Sequence, residues 1–307
     1  MGWKTVLGYV LAILLVLLLF FYWVFPLETI DFGAASSRNS NFSLNPYGNQ
    51  SMQFYESMRY PSQDISYKIQ GCTLQKEDEM ERAFDIVENL TSINFYPVGS
   101  NEEILVTCDS QAKFEGGLFV AGEGGPINIT RAGNFNVIQK GAIILIRESK
   151  CENPNVGIHE LLHALGFDHS ENPNNIMYPV SKCSQTIGQD ITDTINWLYS
   201  FPSLPDLAFE NVSATMSSRY LDLNLTIRNQ GLRNSPGGTV KIYADGEEIK
   251  EIEFESLGIG HGRRILINNI FILQKNIDEL KFFIKTNLRI NTLIGKLICC
   301  RNQKEYL

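Results

Sequence analysis

Histidine is scarce in this chain. Its 307 residues hold only four, so a histidine-rich metal centre can be built once and not twice. Positive charge is also in deficit: 26 Lys and Arg face 34 Asp and Glu, a formal net charge of -8. That balance gives no general electrostatic reason to bind nucleic acid, which is set aside as a partner, although a sum over the chain leaves room for a local basic patch. None of the six cysteines, at 72, 108, 151, 183, 299 and 300, forms a CxxC pair. A zinc ribbon is thereby excluded, and disulfides in an oxidising exterior remain open. Residues 6–25 carry no charge at all.

Leu, Val, Ile and Phe dominate that uncharged stretch, and twenty helical residues span about 30 Å, the hydrocarbon thickness of a bilayer. Lys4 and the α-amino group precede it, while Glu28 and Asp31 follow. The positive-inside tendency then places the N-terminus in the cytoplasm and everything after Pro26 outside, with Tyr22 and Trp23 in an interfacial belt. The expectation is a single-pass protein of the cell membrane, anchored through residues 6–25. A cleaved signal peptide is the alternative, since Gly33-Ala34-Ala35-Ser36 offers small residues; signal h-regions, however, run to only about 7 to 15 residues. Both readings export the body of the chain. Sequons beginning at Asn41, Asn49, Asn89, Asn128, Asn211 and Asn224 are consistent with an exported glycoprotein.

Residues 27–61 are rich in Ser, Asn, Gly and Gln without apolar periodicity, and read as a stalk or a short propeptide. No cysteine lies there to mask a metal. Beyond them the pattern turns globular. Alternation over 65–69 predicts a strand, and Met80, Ala83, Phe84, Val87 and Leu90 fall at helical spacing. Further strands are expected at 104–106, 118–121 and 142–146, and helices at 156–165 and 189–199, an interleaving typical of α/β or α+β layers. Pro202 and Pro205 break this pattern. Leu221, Leu223, Leu225 and Ile227 then alternate with polar residues, and Asp245-Gly246 signals a hairpin. A β-sandwich of about 90 residues is expected. Four cysteines fall in the middle region, where three pairings exist; Cys151 with Cys183 would tie the entrance of the helix at 156–165 to the loop beyond it, leaving Cys72 with Cys108.

One stretch carries chemistry: His159-Glu160-Leu161-Leu162-His163-Ala164-Leu165-Gly166-Phe167-Asp168-His169, which contains three of the four histidines. On a helix His159 and His163 are i and i+4, so their imidazoles share a face and can share one metal. Gly166 permits a left-handed turn that swings the chain round to offer His169 as a third nitrogen. Three neutral imidazoles leave a zinc position open, as catalytic sites require. Glu160, beside the first ligand, is placed to act as general base on a water that zinc would acidify towards about pKa 7. His261 reads as an ordinary loop residue.

Over residues 62–201 the chain resembles the metzincins, within them the matrixin-like branch. Asn175-Ile176-Met177-Tyr178-Pro179 looks like their Met-turn, and 187–199 is similar to their closing helix. The resemblance implies one catalytic Zn2+ on His159, His163 and His169, Met177 as a hydrophobic base beneath it, and protein or peptide substrates. It also implies that Leu118, Phe119, Val120 and Ala121 form a sheet edge that pairs with the substrate backbone. Tyr178 follows Met177 directly, not two residues later as in astacin-like enzymes, and is not assigned as a ligand. No cysteine-bearing propeptide, second zinc site or propeller domain is recognisable, and nothing supports structural Ca2+. Residues 203–290 resemble CARDB modules in Pro205-Asp206-Leu207 and Ile227-Arg228-Asn229-Gln230-Gly231; that likeness implies contact with a cell-surface polymer or protein, or a spacer. The expected architecture is α+β: a transmembrane anchor at 1–26, a stalk or propeptide at 27–61, a metzincin-type domain with a twisted, mostly parallel sheet at 62–201, an all-β sandwich at 203–290 and a tail at 291–307. The function so implied is a zinc metalloendopeptidase outside the cytoplasm; a surface adhesion or binding protein with an inactive protease domain is the alternative.

Overall fold

The computed structural model describes residues 2–24, 30–31, 52–111, 113–115, 118–273, 277–286 and 292–298. Helix α1 (Trp3–Val24) covers most of the uncharged stretch, and its described apolar side chains, such as Leu11, Ile13 and Leu14, are exposed. Other side chains along it, including those of Tyr22 and Trp23, lie outside the described residues. Among the described residues no helix is long and apolar enough to cross a membrane.

The next elements are β1 (Ile30–Asp31), β2 (Met58–Arg59), β3 (Asp64–Gln70), α2 (Leu74–Leu90), β4 (Asn94–Pro97), β5 (Ile104–Cys108), β6 (Lys113–Glu115), β7 (Leu118–Val120), β8 (Gly122–Ala132), β9 (Phe135–Leu145), α3 (Asn155–Ala164), β10 (Val180–Ser181) and α4 (Gln189–Tyr199). Strands β4, β3, β5 and β9 are parallel neighbours in that order, β2 joins the start of β9 in parallel, and β8 runs antiparallel along the other side of β9. The sheet is therefore mostly parallel, as expected. Thr73 caps α2 by accepting from the Lys76 N–H, and Met80, Ala83, Phe84 and Val87 form its buried stripe. Phe84 stacks on Tyr67 of β3 with centroids 4.1 Å apart, which seats α2 on the sheet. The pairings Cys72–Cys108 and Cys151–Cys183 are both formed. Each closes a loop of a little over thirty residues, worth roughly 3–4 kcal/mol in the chain-entropy account.

Residues 52–61 are not stalk. Met58 and Tyr60 are fully buried in the core that also holds α3, and β2 is part of the sheet. Arg59 is 1 % exposed. Its guanidinium donates to the carbonyls of Leu198 and Phe201 and to Ser203 Oγ, and lies 4.5 Å from the centroid of the Tyr199 ring. Burial lowers its pKa, and the neighbouring Tyr199 opposes that shift. One side chain thus ties β2 to the end of α4 and to the linker. The earlier part of the expected stalk, apart from β1, lies outside the described residues.

The second unit comprises β11 (Leu207–Ser217), β12 (Tyr220–Asn229), β13 (Gly238–Ala244), β14 (Glu247–Phe254), β15 (Gly262–Phe271), β16 (Glu279–Thr286) and β17 (Thr292–Ile298). They form two antiparallel sheets, ordered β11-β12-β15 and β14-β13-β16-β17. Leu221, Leu223, Leu225 and Ile227 all face the shared core. Asp245 and Gly246 both have positive φ, 47° and 93°, which suits the two-residue hairpin turn. The expected tail is corrected over 292–298, which adds β17 to a sheet; Cys299 and Cys300 lie outside the described residues. A small cluster of Ala132, Val137, Leu232 and Ile259, with Phe135 against it, joins the β8–β9 turn to this unit. Backbone approaches are close there: a Cβ on Gly260 would come within 2.5 Å of the Arg131 carbonyl oxygen.

Replacing Arg59 leaves several buried carbonyls without a donor, so Arg59→Met is expected to lower unfolding free energy by roughly 3 kcal/mol or more, read as a shifted urea midpoint.

Candidate metal centre

The central stretch folds as its spacing requires. Helix α3 has every residue buried, so the apolar positions between the histidines serve the core while His159 and His163, one turn apart, share a face and the Glu160 side chain lies against Gly122 of β8. The helix ends in a Schellman turn: the Phe167 N–H donates to the Leu162 carbonyl and the Gly166 N–H to the His163 carbonyl. Gly166 has φ of 97°, and a Cβ there would lie 2.9 Å from the Met58 Cβ. Both the left-handed backbone and the lack of room demand glycine. Past the turn, the Asp168 N–H donates to the Met52 carbonyl and the Phe54 N–H to the Gly166 carbonyl, so 52–54 holds the returning chain in place.

This brings His169 to the other two histidines. One ligand atom from each of His159, His163 and His169 lies within 4.8 Å of the others, and the Nε2 atoms of His163 and His169 are 3.1 Å apart. His159 Nδ1 meets the Ile176 carbonyl and His163 Nδ1 the Phe167 carbonyl, each at 2.7 Å. Carbonyls only accept, so both Nδ1 atoms carry the proton and both Nε2 atoms keep their lone pairs. Phe54 stacks on the His163 ring with centroids 5.7 Å apart. Burial, then the neighbouring imidazoles, holds His159 well below the ordinary histidine range, and burial with His169 pushes His163 down to about 3. The imidazoles of His159 and His163 are therefore neutral in the physiological range, the form that ligates metal.

Glu160 is 1 % exposed, and its Oε1 is buried without a hydrogen-bond partner. Burial, and secondarily Glu123, raises its pKa well above the carboxylate range. A carboxyl group so placed fits a centre where a cation and a water complete its environment. A three-nitrogen donor set with an orphaned carboxyl oxygen beside it is the chemistry zinc takes.

Met177 is fully buried, its N–H bonded to Asn175 Oδ1 and its carbonyl accepting from the Ser170 N–H. The turn it belongs to supplies the carbonyl of Ile176 that orients His159. The edge-strand expectation needs correction, because β7 has a partner on each side: β6 antiparallel and β1 parallel. β1 in turn pairs antiparallel with β10, so Ile30 and Asp31 lie in a slot between β7 and β10. Val120 and Ala121 are buried, while the side chains of Leu118 and Phe119 lie outside the described residues. His261 stands apart in the second unit, its N–H bonded to the Gly258 carbonyl.

Gly122 and Gly124 were not legible as site residues. A Cβ on Gly122 would come within 2.7 Å of the Glu160 side chain, and one on Gly124 within 2.3 Å of the Glu160 carbonyl oxygen. The glycine-rich run GEGGP was a signal for close backbone approach, though not for what it approaches. Gly124→Ala must displace α3 or β8 and is expected to weaken zinc retention by about tenfold or more, measured by competition with a chelator.

Residues 59–200 match the Matrixin family and residues 204–291 match the CARDB family. Among solved structures, one of myroilysin is 12% identical, with 46% of this chain and 85% of that chain covered and a TM-score of 0.31. A second structure of myroilysin is 17% identical over 37% of this chain and 53% of that one, with a TM-score of 0.25. The CARDB domain of the PF1109 protein from Pyrococcus furiosus is 15% identical over 31% of this chain and 87% of that one, with a TM-score of 0.25. Among curated proteins none matches. The chain thus carries a region similar to the Matrixin family followed by one similar to the CARDB family.

Proposed function

We propose that the protein is a zinc-dependent endopeptidase that cuts proteins or peptides outside the cytoplasm. One observation carries this reading: three imidazoles converge, two of them on a helix that also carries a buried carboxyl whose Oε1 has no hydrogen-bond partner. His159, His163 and His169 would hold the ion, which when bound supplies a Lewis acid that polarises the scissile carbonyl and acidifies a water. Glu160 accepts the proton of the attacking water and delivers it to the leaving amine, a role open to its carboxyl once a bound cation favours the ionised form. The Ile176 and Phe167 carbonyls keep two of the imidazoles in the ligating tautomer.

The slot between β7 and β10 supports an extended backbone as substrate, because β1 already makes a strand's hydrogen bonds there. We read residues 27–51 as a pro-segment whose Ile30 and Asp31 must vacate the slot, and the uncharged residues 6–25 as an export or anchoring segment that places the body outside the cytoplasm. The CARDB domain would hold the enzyme near a surface polymer or protein.

Full-length protein and Glu160→Ala should each retain one zinc by mass spectrometry, with cleavage of an unfolded protein lower in the variant by about 10²–10⁴. Absence of zinc from both would overturn the reading. Cutting the chain between residues 31 and 52 after folding should raise kcat/KM by about tenfold or more, since a tethered segment competes at millimolar effective concentration. Unchanged activity after the cut would refute the pro-segment.

A further inference from the structure

Positive charge gathers beside the centre of this otherwise acidic chain. A cavity of about 780 Å3 opens between the loop that follows β9, the first turn of α3 and the loop after β10. Lys76, Arg147, Lys150 and Lys182 line it, against Glu148 alone, whereas the chain as a whole carries -8. The local sign is opposite to what composition would place there.

The cations are held in position. Lys76 is buried, and its Nζ donates to the carbonyls of Asp109, Leu145 and Ile146 at 2.8, 3.2 and 2.9 Å, with no carboxylate among these partners. Lys150 and Lys182 are exposed and make no ion pair among the described residues. Their two loops are joined by Cys151–Cys183, and Asn155 Nδ2 donates to the Lys182 carbonyl. Both ammonium groups therefore sit on loops already fixed, so less ordering is needed to engage an anion.

The cavity also lies along the substrate's path. Val156, in its wall, precedes His159 by three residues, a rise of roughly 4.5 Å along the helix. Ser181, another wall residue, belongs to β10 and stands opposite Ile30 in the slot. An extended peptide in that slot would pair with β10 at a residue that also lines the cavity. A concave site lined by one sign of charge concentrates the opposite sign.

Resting on the peptidase reading, we propose that this cavity receives an acidic side chain of the substrate, Asp or Glu, close to the scissile bond, and that Lys150 and Lys182 determine this specificity. Substrates are then acidic stretches of protein, and the bond cut is set by a carboxylate at a fixed distance.

The test uses the full chain carrying a cleavage site for an unrelated protease between residues 32 and 51, cut after folding and loaded with zinc. Quenched, C-terminally amidated peptides differ only in Glu or Ala at single positions around the scissile bond, and amidation removes the terminal carboxylate as a competing anion. The ratio of kcat/KM for Glu over Ala is expected to reach about tenfold at one position and to fall to one or below in Lys150→Glu/Lys182→Glu. A ratio near one at every position, or a preference that survives the double reversal, overturns the proposal. Dissociation constants of the same peptides on the Glu160→Ala protein separate the two readings. Glu-dependent binding that the reversal abolishes, with no peptide cut by the wild type, keeps the cavity and removes the hydrolysis. Binding indifferent to Glu removes the cavity.

Discussion

The left-handed turn at Gly166 sets the geometry on which the centre depends. It stops α3 directly after His163, places the Phe167 carbonyl on the imidazole of His163 and sends the chain back so that His169 meets the helix. There is no slack in it, because Met58 occupies the space a side chain would need. The strand carrying Met58 is in turn locked by Arg59 to the end of α4 and to the linker beyond. Three segments distant in sequence, 52–60, 155–169 and 198–203, are therefore one mechanical unit around the histidines. A change in any of them is a change in ligand geometry.

Assembling that unit concentrates groups that would each prefer water. Two imidazoles and a carboxyl are buried together, and every shift recorded for them disfavours the charged form: histidines downward, Glu160 upward. The fold tolerates this because the groups are neutral where they stand and two rings donate to backbone carbonyls. A divalent cation would reverse the local balance, favouring an ionised Glu160 and offsetting the cost of the cluster. Metal affinity and folding stability are coupled by that exchange, since the unfolded chain has no preformed site to fill.

Much of this was readable in residue order. Eleven consecutive residues specified the ligands, the helix and its terminating glycine; strict alternation at 221–227 specified a strand with one buried face, and Asp245-Gly246 its neighbour's hairpin. What escaped shares a physical reason. Met52, Phe54, Met58 and Tyr60 are core residues spread through a polar stretch with neither helical nor strand period, because each fills a different gap in a core built by others. Arg59 looks like a surface cation until its acceptors on Leu198, Phe201 and Ser203, distant in sequence, are known. Gly122 and Gly124 are required by the side chain and the backbone of Glu160, on a helix that comes much later in the chain. The pairing of β7 on both sides depends on a two-residue strand that no pattern of that length can announce.

Strand β8 runs unbroken from the glycines that roof Glu160 to Ala132, whose neighbours rest on Leu232 and Ile259 of the CARDB domain. Eleven residues of strand span about 35 Å, and along most of that length β8 is bonded to β9. The pairing is interrupted by register shifts around Asn128, where the strand can bend. The two ends of β8 thus touch different things, the carboxyl beside the histidines at one and the C-terminal unit at the other, so the fit of one unit against the other and the packing around Glu160 share a single strand.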